Sequence, residues 1–359
     1  MPNFDILRES KPNKTFRVAS VMGKFDLQTE HIKEQFKGSI DMPNNWQIGL
    51  IVGNSGTGKT TIAKELFEDA YVTNFNYKAE TILDDMPDNA SVDDITKIFN
   101  SVGFSSPPSW LKPYSVLSNG QKMRVDLANA LLKEDDLIVF DEFTSVVDRN
   151  VAKIGSYAMQ KAIRKSDKQF IAVTCHHDVQ DWLLPDWVFN TDSMTFQILE
   201  GQKKNRPKVK FEIFKTRDKS IWRIFAKHHY LSHSHNNAAQ VYVAYVNEQI
   251  AGFISILHLP NKKPNLKKVH RLVILPDYQG IGIGGRLLDF IANKYTDDKF
   301  VFGITTSAPS LIFSLKRHKD WKCYFFGRNT GKQKMVEFNK TSTKNRITAA
   351  FRYIKNGTK

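Results

Sequence analysis

Residues 48–60 read IGLIVGNSGTGKT. The opening run, Ile48 to Val52, is apolar throughout apart from one glycine, the pattern of a short strand buried on both faces. From it the chain passes through Gly53, Asn54, Ser55, Gly56, Thr57 and Gly58 into Lys59, Thr60 and Thr61, where a helix opens. A G-x-x-x-x-G-K-T loop between a strand and a helix surrounds phosphates with backbone N–H groups and a helix N-terminus. Lys59 is then expected to reach the β- and γ-phosphates and Thr60 to bind Mg²⁺, so ATP with Mg²⁺ is the expected cofactor of this stretch.

Working outward, apolar runs alternate with amphipathic segments up to about residue 200, including 127–132, 137–140 and 170–174. That alternation predicts an α/β domain with buried strands. The run LIVF at 137–140 delivers Asp141 and Glu142 at its end. Carboxylates there suit two tasks, Asp141 in the Mg²⁺ shell and Glu142 polarising the attacking water.

Between the loop and this strand stands Leu117-Ser-Asn-Gly-Gln121, followed by a helix. With it the first half resembles the ABC-type ATPases over residues 15–195. The resemblance implies that Ser118, Gly120 and Gln121 belong to a signature turn facing the nucleotide of a second copy. It also implies that residues 145–148, SVVD, are the D-loop and that residues 174–177, TCHH, hold the switch histidine, with His176 preferred over His177. The expected assembly is an ATP-dependent homodimer. No glutamine occurs between Lys59 and Gln121, so the family's Q-loop residue has no counterpart and slow or effector-dependent hydrolysis is expected. The short spacing from loop to signature leaves room for a small helical insert.

In the second half, residues 241–257 form an alternating hairpin about residues 247–249. Then comes HRLVILPDYQGIGIGGRLLDFIANKY at 270–295, a strand leading through a glycine-rich turn into a helix. Glycines at a helix N-terminus expose N–H groups to a pyrophosphate. This arrangement resembles the GNAT acetyltransferases over residues 208–325. The resemblance implies that Gln279, Gly280, Gly282, Gly284 and Gly285 hold the pyrophosphate of acetyl-CoA and that the backbone of Val273 and Ile274 runs beside its pantetheine arm. The family's helix tyrosine has no counterpart in PSLIFSLKRH. For acid-base work the residues offer Lys227-His228-His229-Tyr230, expected to end a helix that starts near Ser220, with Ser232, His233 and His235 close behind; His229 and Tyr230 are the first choice and His270 the second. A His-His-Tyr segment early in a GNAT-like fold also resembles the Mom-type DNA-modifying proteins. The union of an ATP-driven module with a GNAT domain resembles the tRNA cytidine acetyltransferases.

The fold class expected is therefore α/β, an ABC-type P-loop ATPase domain over 1–204, then a GNAT-like α+β domain with a mixed sheet over 205–330. A basic C-terminal extension over 331–359, helix or tail, completes it. Charge divides at the same place. Residues 1–200 hold 21 Lys and Arg against 28 Asp and Glu, whereas residues 201–359 hold 31 against 9. A half carrying +22 predicts a polyanionic partner, RNA or DNA. No apolar run approaches the roughly 20 residues of a membrane span, and the N-terminus lacks a secretory signal. The two cysteines, Cys175 and Cys323, match no zinc or redox spacing. A cytoplasmic protein with no membrane partner is expected. The function expected is ATP-dependent acetylation of nucleic acid, with two alternatives: an ATP-gated nucleic-acid clamp with a non-catalytic GNAT fold, and a protein N-acetyltransferase.

Overall fold

The computed structural model describes residues 3–10, 13, 15–26, 32–72, 75–202, 205–229, 234–259, 265–328 and 347–355. In chain order come β1 (Asn3–Ser10), α1 (Phe16–Lys24), β2 (Ile32–Ser39), β3 (Ile48–Val52) and α2 (Lys59–Leu66). There follow α3 (Val92–Ser101), α4 (Pro107–Trp110), α5 (Asn119–Leu132), β4 (Leu137–Phe140), α6 (Arg149–Ile163), β5 (Gln169–Thr174), α7 (Val179–Leu183), β6 (Trp187–Asn190) and β7 (Thr195–Ile198). The remainder is β8 (Phe211–Thr216), α8 (Trp222–Ala226), β9 (Gln240–Val246), β10 (Gln249–His258), β11 (Leu266–Ile274), α9 (Ile283–Asp297), β12 (Val301–Thr306), α10 (Pro309–Arg317), β13 (Trp321–Arg328) and β14 (Ile347–Tyr353).

The chain forms two compact units. The first comprises Met1–Asn74, Glu134–Val146 and Ile163–Arg206. Its sheet runs β4-β5-β3-β6-β7, parallel except for the antiparallel edge strand β7. Every residue of β3 is buried, as its unbroken apolar run requires. A buried ion pair fixes the entry to this strand. Arg164 donates to both oxygens of Asp186 at 2.7 and 2.9 Å, and Asp186 Oδ2 also accepts from the N–H groups of Gln47 and Ile48. Removing one partner of such a pair leaves a buried charge unmatched, at a cost of about 3–5 kcal/mol. A separate antiparallel pair, β1 with β2, was not foreseen from the sequence; it lays Phe4 and Phe36 against Ile62 and Phe189.

The second unit comprises Phe75–Lys133, Val147–Ala162 and Pro207–Lys359. The small helical insert expected after the phosphate loop is present as α3 and α4. Helix α3 is capped by Ser91, which accepts the Asp94 N–H. The mixed sheet of this unit runs β13-β14-β12-β11-β10-β9-β8. Helices α9 and α10 bury Leu287, Ile291, Ile312 and Leu315 on one face, and Trp222 and Phe225 of α8 cover the other with Phe253 and Val273. The β9–β10 turn places Asn247 and Glu248 at φ of 47° and 69°, the paired left-handed residues of a tight hairpin.

Two readings of this half change. The basic end of the chain was expected as a helix or tail, but Ile347–Tyr353 form β14, inserted between β12 and β13. Its buried Thr348 to Phe351 explain this, because a strand with paired neighbours on both edges is held by packing whatever its flanking charge. The helix expected from about Ser220 to Tyr230 is the single short turn α8, which ends at Ala226.

Candidate functional site

Within the first unit the phosphate loop leaves β3 and enters α2 through Gly56 and Gly58, at φ of 87° and 82°. Side chains rarely adopt that conformation, and a Cβ on Gly58 would strike the Phe36 ring at 2.5 Å. Lys59 Nζ donates to the Asn54 carbonyl at 2.6 Å, and Thr57 Oγ1 donates to the same oxygen at 2.9 Å. Thr60 Oγ1 donates to Asp141 Oδ2 at 2.8 Å. The hydroxyl and carboxylate expected to share a metal are thus already neighbours, and a hard cation prefers such oxygen donors. Asp141 also accepts from the Tyr71 hydroxyl and from the Glu142 N–H. Burial, reinforced by the adjacent Asp141 carboxylate, raises the Tyr71 phenol and keeps it a donor. Glu142 sits at φ 52°, an uncommon conformation for a residue with a Cβ, of the kind that clusters at functional sites.

The histidine pair resolves into two different environments. His177 Nε2 lies 3.4 Å from Asp192 Oδ2, and Asp192 Oδ1 accepts the Asn54 N–H of the phosphate loop at 2.8 Å. The His176 backbone N–H donates to Thr174 Oγ1. Asp192, which no motif marks, joins the histidine segment to the loop.

Within the second unit, α5 begins at the signature turn. Ser118 caps it, accepting from the Gln121 N–H, while the Gln121 side chain accepts from the Ser118 N–H, a closed capping box. Gly120 faces Val151, whose methyl would lie 2.8 Å from any Cβ there.

The expected acyl-donor residues converge on one cavity of about 370 Å³ in this unit. Val273, Ile274, Gln279, Gly280, Gly282, Gly284, Gly285 and His229 all line it. Strand β11 pairs in parallel with β12 only over Leu266–Lys268, so residues 272–274 are left to face the cavity on that side. Gly280 and Gly282 stand at φ of 86° and 87°. Gly282 caps α9, and a Cβ on Gly284 or Gly285 would meet ordinary contact or open space. An extended anion can approach the backbone there, which fits a pyrophosphate.

Gln279 also holds its own loop together. Its Oε1 accepts the Ser105 N–H at 2.9 Å and its Nε2 donates to the Ile274 carbonyl at 2.9 Å, so both ends brace the loop. No motif marks Ser105, Trp110 and Lys161 as part of the cavity wall, since they come from the α3–α6 segment.

Of the acid-base candidates, His229 lines the cavity together with His228. Burial, then the neighbouring Lys227, holds the His228 imidazole below its usual range. His270 does not line the cavity; its Nε2 accepts the Asn236 N–H at 3.3 Å and its ring lies 5.6 Å from that of His235. Burial, then Arg271 and the nearby imidazoles, pushes His270 down to about 4. Tyr230 lies outside the described residues, as do Ser232, His233 and residues 331–346 and 356–359 of the expected C-terminal extension.

A phosphate-loop α/β unit, and a second unit that holds a capped signature turn and a mixed sheet whose strand-loop-helix lines a cavity, define a P-loop ATPase fused to an acyltransferase fold. Comparison with known proteins carries the assignment further. Residues 49–181 match the ATPase family associated with various cellular activities (AAA), and residues 237–317 match the acetyltransferase (GNAT) domain. An uncharacterized ABC transporter ATP-binding protein of Haemophilus influenzae is 30% identical over 173 residues, 40% of this chain and 68% of its own length. An energy-coupling factor transporter ATP-binding protein of Mycoplasmopsis pulmonis is 28% identical over 38% of this chain and 65% of its own. The spermidine/putrescine import ATP-binding protein of Mycoplasma genitalium is 33% identical over 34% of this chain but only 19% of its own. The chain therefore spans from about two thirds to a fifth of the length of these relatives. It belongs to the ABC-type ATP-binding protein family and carries in addition a GNAT acetyltransferase domain.

Solved structures overlap each half in part. A dimeric ATP-binding cassette with ADP and phosphate is 15% identical over 55% of this chain and 98% of its own, with a TM-score of 0.41. A ribosomal-protein alanine N-acetyltransferase of Escherichia coli is 11% identical over 40% of this chain and 93% of its own, with a TM-score of 0.31. These scores add nothing to the assignment. Among the described residues no helix is long and apolar enough to cross a membrane.

Proposed function

We propose that this protein is an ATP-dependent acetyltransferase that takes acetyl-CoA as acyl donor and a nucleic acid as acceptor, with an ATPase domain over 1–204, a GNAT-like domain over 205–330 and a cytoplasmic location. One observation carries the union of the two activities. Arg124, on the helix that begins at the signature turn, is fully buried and donates to the carbonyls of Pro276 and Asp277, at the entrance to the acyl-donor loop. Two such copies close around ATP in this reading, each signature turn meeting the other copy's nucleotide. Lys59 binds the phosphates, Thr60 and Asp141 hold the Mg²⁺, and Glu142 orients the attacking water.

Acyl transfer forms an N–C bond at the thioester carbonyl and breaks its C–S bond. The acceptor amine must lose a proton and the departing thiolate must gain one. His229, at the cavity wall, takes the amine proton, and Tyr230 is proposed to serve the thiolate. Gly280 to Gly285 and the edge of Val273 and Ile274 hold the donor.

The nucleic-acid acceptor rests on charge and on one edge of the second sheet. Tyr324 and Phe326 of the edge strand β13 are 53% and 54% exposed. Lys316 Nζ lies 3.6 Å from the Phe326 ring centroid, and the Arg352 guanidinium lies 4.9 Å from that of Tyr324. Aromatic rings interleaved with cations suit unpaired bases on a phosphate chain. Mass spectrometry of nucleosides from cells with and without the protein tests the reading. An acetylated nucleoside that disappears with the gene supports it. Acetylation of protein alone would replace it with the N-acetyltransferase alternative, and failure of the protein to bind acetyl-CoA would replace it with the ATP-gated clamp.

A further inference from the structure

The cavity wall opposite the glycine loop belongs to helices that precede it in the chain by more than a hundred positions, and the two parts interlock within one compact unit. Gly103 and Gly280 meet backbone to backbone, since a Cβ on Gly280 would fall 2.9 Å from the Gly103 Cα and from the Ala158 Cβ. Both glycines have φ of 86°. A side chain at either position would therefore clash and strain the backbone at once. Ser105 is tied to Gln279, and Arg124 to Pro276 and Asp277, as described above. At the far end of this contact, on α6, Lys161 Nζ donates to the Gly280 carbonyl at 2.9 Å. The same ammonium lies 3.7 Å from the position a Cβ would take on Gly282, the capping residue of α9.

This placement concentrates positive potential at one point of the cavity. The 15-residue helix α9 directs its N-terminus there. Among the described residues that line the cavity, Lys161 is the only lysine or arginine, and none is a carboxylate. An ammonium has three donors, so Lys161 can keep Gly280 and still turn an N–H toward a ligand oxygen. We propose that Lys161 is a phosphate-binding residue of the acyl-donor site, contacting the pyrophosphate of a coenzyme A thioester, so that the donor site is composed jointly from the ATPase segment and the transferase fold. The inference rests on the reading of this cavity as an acetyl-CoA site.

Calorimetry on the full chain decides it, with Lys161→Gln beside the parent. Glutamine keeps an N–H for the Gly280 carbonyl and removes only the charge. Acetyl-CoA binding should weaken about tenfold or more in Lys161→Gln, as expected for the loss of a charge-assisted contact. The loss should be equally large for acetyl-dephospho-CoA, which keeps the pyrophosphate and lacks the 3′-phosphate. Equal affinity of parent and variant for acetyl-CoA would overturn the assignment. A loss seen only when the 3′-phosphate is present would overturn the pyrophosphate contact. Circular dichroism and melting temperature matching the parent would show that the fold is intact, and a rescue of affinity in Lys161→Arg would separate charge from packing. A parent that does not bind acetyl-CoA would instead overturn the donor-site reading itself, a different result from any of these.

Discussion

The guanidinium of Arg124 donates to the carbonyl of Asp277, 153 positions later in the chain, at 2.8 Å, and to that of Pro276 beside it. Burial pushes this guanidinium down to about 10, against the pull of the Asp277 carboxylate, and it stays charged at neutral pH. Its Nε has no partner among the described residues, so the two carbonyls and Asp277 carry the compensation for a fully buried charge. Movement of α5 must therefore carry the entrance of the donor loop with it or break these bonds. Saturating ATP is expected to change acetyl-CoA affinity in a hydrolysis-blocked Glu142→Gln protein, and the added Arg124→Lys change, which loses the forked geometry, to shrink that change. Titration of acetyl-CoA with and without ATP reads it directly. Identical affinities with and without ATP in the Glu142→Gln protein would remove the coupling.

At the ATP site the prediction separates binding from chemistry. Lys59→Ala should lose ATP affinity, because its ammonium is the loop's charge for the phosphates. Glu142→Gln should keep ATP and lose about 10²–10⁴ in hydrolysis, the range for a general base. Asp141→Asn should weaken Mg²⁺ dependence as well as rate, since Asp141 already gathers Thr60 and Tyr71. Light scattering adds the assembly state: Glu142→Gln with ATP should run as a dimer, and a monomer at saturating ATP would argue against the two-copy site.

The parts of this architecture that were legible in the sequence are those written locally. The phosphate loop needs glycines at fixed offsets, and Gly56 and Gly58 stand where positive φ demands them. The donor loop is written the same way at Gly280 and Gly282. What stayed hidden is long-range. Lys161 and Gly280 are 119 positions apart and Gln279 and Ser105 are 174 apart, and no periodicity reports which distant helix covers a loop. Strand β14 was missed because the basic flanks of residues 331–359 masked the run of Thr348 to Phe351 that the sheet interior requires. Asp192 and Tyr71 escaped because their roles depend on which strand ends meet, not on a spacing.

The His235–His270 pair predicts how stability responds to acid. His270 is held at about 4 in the fold against about 6.5 when unfolded. Its folded form resists protonation, so the unfolded chain binds more protons between these values and stability rises with pH through that window. The contribution is complete above pH 6.5 and is lost as pH falls toward 4. Burial, then Lys219 and Arg271, lowers His235 with the same sign. His270→Asn keeps an acceptor for the Asn236 N–H and removes the titration. Its melting temperature should fall less steeply than the parent's between pH 6.5 and 4, and parallel curves would contradict the assignment.

Binding of nucleic acid by the full chain should depend steeply on salt, because each lysine or arginine contact to phosphate releases counterions. The exposed aromatic edge adds a second, distinguishable signature. Tyr324→Ala with Phe326→Ala should weaken single-stranded RNA or DNA by about 1–3 kcal/mol for each base stacked, while the slope of log affinity against log salt stays as in the parent. Lys316→Ala and Arg352→Ala should each reduce that slope by roughly one contact's worth. Stacking is short-ranged and unscreened, whereas phosphate contacts act through counterions, so the two classes of variant must move different quantities. A parent slope near zero would exclude a polyanion partner for the +22 half. An aromatic variant that changes the slope but not the affinity at low salt would move the base-binding surface away from β13.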